Sequence, residues 1–231
     1  MTKISLLKFY LLTFILSISL YSVGNTENEF PLDPAITYGK LENGFTYYIR
    51  ENQTPKDKVS IKLIIKAGSI MEEENQLGLA HLLEHMAFNG SKNFPKRKID
   101  EYMSSIGLNI GSHYNASVGF LKTNYVYEIP TNNDEDVEVA LKILTDISKN
   151  LSLEPEAFER ERKIVEEEWR TDIGGSKNYI NEFHKVMFKN SRFNERKPIG
   201  TLDIIQNFEY QDAIDYYQKW YRPQLMGLFV I

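Results

Sequence analysis

The stretch HLLEH at residues 81–85 decides how this chain folds. Residues four apart in an α-helix project from the same side, so the two histidines share one face. All three ionisable side chains then fall within a sector of about 100°. The flanking residues, from Leu77 to Phe88, are almost all apolar, and a helix that is apolar nearly all round is a buried helix. The sequence therefore predicts a buried helix that carries three ionisable groups.

Three ionisable groups on a buried helix carry a large desolvation cost unless they are paired or bind a metal. Zinc would satisfy the imidazoles of His81 and His85, and a glutamate next to a metal-activated water, here Glu84, is the general base of a hydrolase. The alternative is a helix whose histidines make only local hydrogen bonds. A catalytic zinc ion needs a third protein ligand, which must come from elsewhere in the chain.

Length and composition are those of one globular domain with a substantial core. The chain has 231 residues, 42% hydrophobic and 26% charged, with a net charge of −5 and no cysteine. The acidic balance argues against nucleic acid as a partner, because phosphate binding needs concentrated lysine and arginine. The lack of cysteine excludes a disulfide framework, thiolate metal ligands and a thiol nucleophile.

The first 24 residues are typical of a secretory signal peptide. Lys3 and Lys8 provide a positive start, and residues 9–21 form an apolar core too short for a comfortable membrane span. Small residues at Ser22 and Gly24 indicate cleavage after Gly24. We expect an exported, periplasmic or secreted protein without a stable membrane span after cleavage. The alternative is an uncleaved membrane anchor.

Turn signals and hydrophobic periodicity predict the elements around the metal helix. Asn43-Gly44 between β-forming residues predicts a hairpin over residues 36–51, and the apolar run at 59–65 suits a central strand. Further strands are expected at 109–117, 120–129 and 225–231, and further helices at 96–106, 134–149, 155–171, 177–188 and 210–220. This order predicts an α+β fold: a mainly antiparallel sheet with helices packed on one face.

The predicted helix over 155–171 is the candidate source of the third ligand. At 100° per residue a buried stripe is defined by Phe158, Ile164, Val165 and Trp169. Glu168 lies near this stripe, with Glu161 one heptad earlier, whereas Glu166 and Glu167 fall on the outer flanks. The alternative, a fully solvated acidic face, suits Glu166 and Glu167 better than Glu168, because the two histidines need an anionic partner.

The fourth histidine of the chain, His184, lies in the helix predicted at 177–188. It shares an apolar face with Ile180, Phe183 and Met187. We expect it to be a core histidine with one hydrogen bond.

The HLLEH stretch, followed far downstream by ERKIVEEE at 161–168, resembles the pitrilysin/insulinase family of zinc metallopeptidases. Its H-x-x-E-H pattern is the inverzincin signature. The resemblance spans about residues 32–231 and is also carried by LENG at 41–44, GLA at 78–80, HMAFNG at 85–90, EEWR at 167–170 and YRP at 221–223.

The resemblance implies a role for each site residue. His81, His85 and Glu168 are the expected ligands of one zinc ion per chain, and Glu84 is the expected base. Glu161 matches the glutamate that supports the site without binding the metal.

Asn115, Ala116 and Ser117 resemble the strand segment that family members offer to an extended peptide. The spacing from His85 to Glu168 is longer than in the best-known members, which indicates an insertion between 107 and 155.

The resemblance also implies a function and an organisation. The chain is expected to be a zinc endopeptidase acting on peptides or unfolded polypeptide segments. Residues 25–231 would be its N-terminal peptidase domain, truncated at the C-terminal end, and a second homologous or C-terminal domain, in cis or in trans, would be its partner. The alternative is a non-catalytic structural or chaperone-like subunit, a type that the family also contains.

Overall fold

The computed structural model describes residues 31–172 and 175–231, most of which form the compact unit Ala35–Ile231. The predicted signal peptide at residues 1–24 lies outside the described residues, so its cleavage stays a prediction. Among the described helices, none combines the length and apolar character needed to cross a membrane.

The described strands form one six-stranded sheet. Their bounds are β1 Ile36–Lys40, β2 Thr46–Arg50, β3 Lys58–Ile65, β4 Tyr114–Val118, β5 Thr123–Pro130 and β6 Met226–Val230. The spatial order is β1-β2-β6-β3-β5-β4. Within it β2 and β6 are parallel and the other neighbours are antiparallel. The prediction of a mainly antiparallel sheet is confirmed.

Eight α-helices lie within the described residues. Their bounds are α1 Leu79–Met86, α2 Lys98–Ser105, α3 Asp134–Lys149, α4 Pro155–Asp172, α5 Gly175–Met187, α6 Arg192–Glu195, α7 Leu202–Asn207 and α8 Tyr210–Trp220. The predicted bounds of α3 and α8 are confirmed. Helices α6 and α7 were not predicted, because four and six residues are too few for a periodic pattern.

The two faces of the sheet differ in burial. Alternate residues of β3, such as Ile61 and Leu63, and of β5, such as Tyr125 and Tyr127, are at most 2% exposed. Side chains pointing the other way, such as Lys62, remain half-buried. Helix α3 packs on β3 and β5, and α1 packs on β4. The predicted α+β arrangement, with helices on one face, is confirmed.

Helix α1 is the most deeply buried element. It contacts β4, α4 and α8. Five of its apolar side chains are at most 1% exposed: Leu79, Ala80, Leu82, Leu83 and Met86. Burying one leucine contributes about 1.5–3 kcal/mol to folding, so these contacts fix the helix firmly, as its sequence predicts.

The N-terminus of α1 is set by Gly78 and Glu72. Gly78 has φ +96°, so the helix begins at Leu79, two residues after the apolar run starts at Leu77. The Glu72 carboxylate accepts hydrogen bonds from the backbone N–H groups of Gly78 (3.1 Å) and Ala80 (2.8 Å). Burial raises the pKa of Glu72 to about 8, although these hydrogen bonds act in the opposite direction.

Helix α5 carries apolar residues on two sides. His184 of α5 and Phe188, the residue after the helix, pack against Phe120 in the β4–β5 turn; their ring centroids lie 6.2 and 6.4 Å from that of Phe120. A second stripe is 49–77% exposed and consists of Tyr179, Ile180, Phe183, Val186 and Met187. The expectation that His184 shares a buried face with Ile180, Phe183 and Met187 is therefore wrong, because these three lie on the exposed side.

The chain crosses itself at the start of α1. An ideal Cβ on Gly200 would lie 2.4 Å from the carbonyl oxygen of Leu77 and 2.6 Å from Cα of Gly78. Gly200 also has φ +74°. The close approach and the left-handed conformation both require glycine here.

Gly107 provides a matched control, because it has φ +80° and no neighbouring atom within 4 Å of its ideal Cβ. Gly107→Ala should lower the free energy of unfolding by about 1–2 kcal/mol through backbone strain alone. Gly200→Ala should lower it by about 1–3 kcal/mol more, because overpacking is added. Urea unfolding of both variants measures the difference, and equal losses would contradict the tight crossing.

Candidate metal centre

The two histidines of α1 face each other across one helical turn. Their Nε2 atoms are 3.2 Å apart, and their rings meet edge to face with centroids 4.7 Å apart. Two unprotonated Nε2 atoms at this separation present their lone pairs to the same point. This is the arrangement that a shared metal ion requires.

Helix α4 brings Glu168 to the same point. Its Oε2 atom lies 3.6 Å from Nε2 of His81 and 3.6 Å from Nε2 of His85. In a tetrahedral zinc site with bonds of about 2.0–2.1 Å, ligand atoms are about 3.3–3.4 Å apart. The triangle of 3.2, 3.6 and 3.6 Å fits such a site, and the Glu168 side chain, 43% exposed, leaves an approach from solvent.

Glu84 lies beside this triangle and is largely buried. Its Oε2 atom is 3.8 Å from Nε2 of His81, and His81, Glu84 and His85 offer ligand-type atoms within 4.8 Å of one another. Burial raises the pKa of Glu84 to about 7, the charge of His85 lowers it and that of Glu168 raises it. A carboxyl group with such a pKa can both accept and release a proton near neutral pH.

Glu161 approaches His85 from the opposite edge of the ring. Its Oε2 atom is 3.2 Å from Nδ1 of His85, and its Oε1 atom accepts a hydrogen bond of 2.8 Å from Nδ2 of Asn89. Burial would raise the pKa of Glu161, but these two hydrogen bonds lower it. Glu161 and Glu168 share one face of α4 and serve different nitrogens of the histidine pair.

The two imidazoles have different protonation tendencies. Burial, and then the charge of His85, lower the pKa of His81 to about 4. Burial also acts to lower the pKa of His85, but the hydrogen bond to Glu161 and the nearby carboxylates raise it. Within the described part of the chain, Nδ1 of His81 is buried without a hydrogen-bond partner. A neutral His81 is the form that binds a metal, so the donor set suits zinc.

Comparison with known proteins identifies the family. Residues 47–199 match the family described as Insulinase (Peptidase family M16). The chain belongs to this family. It is 36% identical over 222 residues to the probable zinc protease PqqL of Haemophilus influenzae, covering 94% of this chain and 24% of the relative.

Solved structures agree with this membership of the insulinase family. The fold is similar to the periplasmic protease PqqL from Escherichia coli, with a TM-score of 0.84 and 33% identity over 87% of this chain and 22% of that one. The first half of that protease gives the same TM-score and identity, and 43% of it is covered.

The chain spans less than a quarter of the length of the curated relatives it matches, between 21% and 24% for three of them. These relatives are named zinc proteases. Their names support a protease role for the insulinase-family chain and zinc as the metal for its histidine cluster.

A cleft of about 1320 Å³ opens beside the histidine cluster. It is lined by Glu84, His85 and Glu161, and by Asn115 from strand β4. In the described sheet β4 has a neighbouring strand on one side only. Ala116 and Ser117 lie on the same strand without lining the cleft; Ala116 packs against the core and Ser117 is exposed. The predicted segment therefore reaches the site through Asn115.

Two details of α4 differ from its predicted helical phase. Ile164, expected in the buried stripe, is 45% exposed and lines the cleft. Glu166, expected on a solvated flank, has a side chain only 16% exposed, because it bonds to Arg170 (3.3 Å) and to Gln206 of α7 (3.1 Å). Glu167, by contrast, is 67% exposed, as expected.

Asn89 is the functional candidate that sequence reasoning missed. It follows α1, and the sequence assigns it no role at the site beyond its place in the HMAFNG stretch. Its side chain instead reaches Glu161. A long-range contact between the segment after α1 and helix α4 leaves no local sequence signal that could have identified it.

Proposed function

We propose that this chain is the catalytic portion of a zinc metalloendopeptidase that hydrolyses peptides or unfolded polypeptide segments. One observation carries the proposal: Nε2 of His81, Nε2 of His85 and Oε2 of Glu168 form a triangle with edges of 3.2–3.6 Å, with the buried carboxyl group of Glu84 beside it. Membership of the insulinase family supports it.

His81, His85 and Glu168 would hold one zinc ion. When bound, zinc supplies a Lewis acid that polarises the peptide carbonyl group and activates water. Glu84 takes the proton of the attacking water and later gives it to the leaving amine. Burial raises the pKa of this carboxyl group towards neutrality, which favours its use as a proton acceptor and donor. Glu161 positions His85 through its Nδ1 atom.

The substrate would bind as an extended strand along β4. In the described sheet no other strand pairs with the outer edge of β4, and an added peptide strand can hydrogen-bond along such an edge. We assign Asn115, Ala116 and Ser117 to this contact, with Asn115 facing the cleft beside Glu84.

The alternative of a non-catalytic structural or chaperone-like subunit is less well supported. Such a subunit gains nothing from a buried carboxyl group at Glu84, whose desolvation is unfavourable for the fold. A buried carboxyl group with a shifted pKa is typical of catalytic sites, so the desolvation cost of Glu84 favours a catalytic role.

We further propose that residues 25–231 are the N-terminal peptidase domain of a longer exported enzyme, released by signal-peptide cleavage after Gly24. The description of the Escherichia coli relative as periplasmic supports export. The partial coverage of the relatives supports a second homologous or C-terminal domain as partner.

Measuring zinc binding tests which glutamate of α4 is the third ligand. The protein should bind one equivalent of zinc, and Glu168→Ala should abolish binding at micromolar metal because one of three protein ligands is lost. Glu167→Ala is the matched control and should retain the metal, because its side chain faces solvent. Metal analysis after dialysis measures both. Retention by Glu168→Ala together with loss by Glu167→Ala would show that the third ligand is misassigned.

Glu84→Gln separates metal binding from chemistry. The amide keeps the size of the side chain but cannot accept a proton, so zinc should stay bound while the hydrolysis rate falls by about 10²–10⁴-fold. A quenched fluorescent peptide reports the rate. Full activity in the zinc-loaded variant would exclude Glu84 as the base.

The domain proposal predicts that residues 25–231 alone cleave peptides more slowly than a protein that also contains the remaining sequence. Residues 25–231 alone should bind zinc but cleave peptides slowly, since the site stays open to water and the peptide is held on one side only. Adding the remaining sequence, in cis or as a separate chain, should raise the rate by orders of magnitude. Equal rates for both would refute the need for a second domain.

A further inference from the structure

The side chain of Asn89 hydrogen-bonds to two residues of the cluster, Glu161 and His85. Its Nδ2 atom donates to Oε1 of Glu161 at 2.8 Å and to the backbone carbonyl oxygen of His85 at 3.2 Å. The other oxygen of Glu161 lies 3.2 Å from Nδ1 of His85. One amide therefore joins the end of α1 to α4 at the edge of the His85 ring.

We propose that Asn89 is a positioning residue for the metal centre, acting through Glu161 on the orientation and tautomer of His85. The inference rests on the proposed zinc site. A neutral imidazole carries its proton on one nitrogen, and the hydrogen bond made by that nitrogen fixes which one it is. With Oε2 of Glu161 accepting from Nδ1–H, the lone pair of His85 remains on Nε2, which faces His81 and Glu168.

The contribution of Asn89 is to fix the rotation of the Glu161 carboxylate. A carboxylate turns easily about its last bond, so a single hydrogen bond to His85 does not hold its plane. The second hydrogen bond, on Oε1, removes this freedom. Both neighbours of Nδ2 are acceptors only, so the orientation of the Asn89 amide is fixed by chemistry.

The backbone after Asn89 is anchored in turn by a buried carboxylate. Asp146 of α3 is fully buried. Its Oδ2 atom accepts from Oγ of Ser91 (2.7 Å) and the backbone N–H of Asn93 (2.8 Å). Its Oδ1 atom accepts from the side-chain amides of Asn93 (2.8 Å) and Asn150 (2.9 Å). Three of these hydrogen bonds fix the loop that begins at Gly90, and the one from Asn150 holds the Asp146 carboxylate in place, so the amide of Asn89 is presented to Glu161 in one position.

The test measures zinc affinity, by competition with a chromophoric chelator, in the wild-type protein and its variants. Groups that orient metal ligands typically contribute 10–100-fold to affinity, so Asn89→Ala should weaken zinc binding about tenfold. Asn89→Asp, which keeps the size but places a second carboxylate against Glu161, should weaken it at least as much. It also provides an answer if the alanine variant does not fold.

A double-mutant cycle tests whether Asn89 acts through Glu161. If it does, Asn89→Ala should cause no further loss of zinc affinity in a Glu161→Ala background. Asn150→Ala is the matched control: it removes an amide that bonds to the Asp146 carboxylate without touching Glu161. It should lower the stability of the metal-free protein, measured by thermal unfolding in excess chelator, and change zinc affinity by less than about twofold.

Three outcomes would overturn the proposal: unchanged zinc affinity in both Asn89 variants, an equal loss with and without Glu161, or an equal loss in Asn150→Ala. These outcomes are distinct from a failure of the proposed function. If the wild-type protein itself binds no zinc, the metal centre is wrong. If the wild-type protein binds zinc and Asn89→Ala binds it equally tightly, the metal centre stands and only the role of Asn89 is wrong.

Discussion

The packing of α1 against α4 inside the core is the interaction on which the rest of the structure depends. Helix α1 buries its apolar side chains on nearly every side, so its three ionisable groups can only face α4 and the cleft. An isolated charge in such surroundings costs several kcal/mol. The cluster lowers this cost because carboxylates and imidazoles lie beside each other. The turn around Glu72 and the crossing at Gly200 both act on the start of this helix.

Partners on the neighbouring helix give chemically identical groups different properties. His81 and His85 lie one turn apart, yet the pKa of His81 is lowered to about 4 and that of His85 is raised. Only His85 has Glu161 at its Nδ1 atom. The pKa values of the two carboxyl groups also shift in opposite directions: burial raises that of Glu84, whereas two hydrogen bonds lower that of Glu161.

The sequence predicted those features that local patterns determine. The hairpin at Asn43-Gly44, the buried helix α1 and the bounds of α3 follow from turn chemistry and hydrophobic periodicity. Errors arose where burial depends on elements distant in sequence. Glu166 is covered by Gln206 from α7, a helix too short to predict, and Ile164 points into a cleft that forms only when α4 meets α1. The apolar periodicity of α5 predicts a core face, but Ile180, Phe183 and Met187 are exposed because no described element covers them.

The two glutamates of α4 show where helical phase stops being informative. Glu161 and Glu168 are seven residues apart, about 10.5 Å along their helix, whereas His81 and His85 are separated by only about 6 Å. The two carboxylates therefore cannot both reach the point between the two Nε2 atoms. One of them must lie at the far edge of the histidine pair. Which one does so depends on how α4 crosses α1, and neither helix encodes that alone. The phase identifies the two glutamates, and the packing of the helices assigns them to different nitrogens.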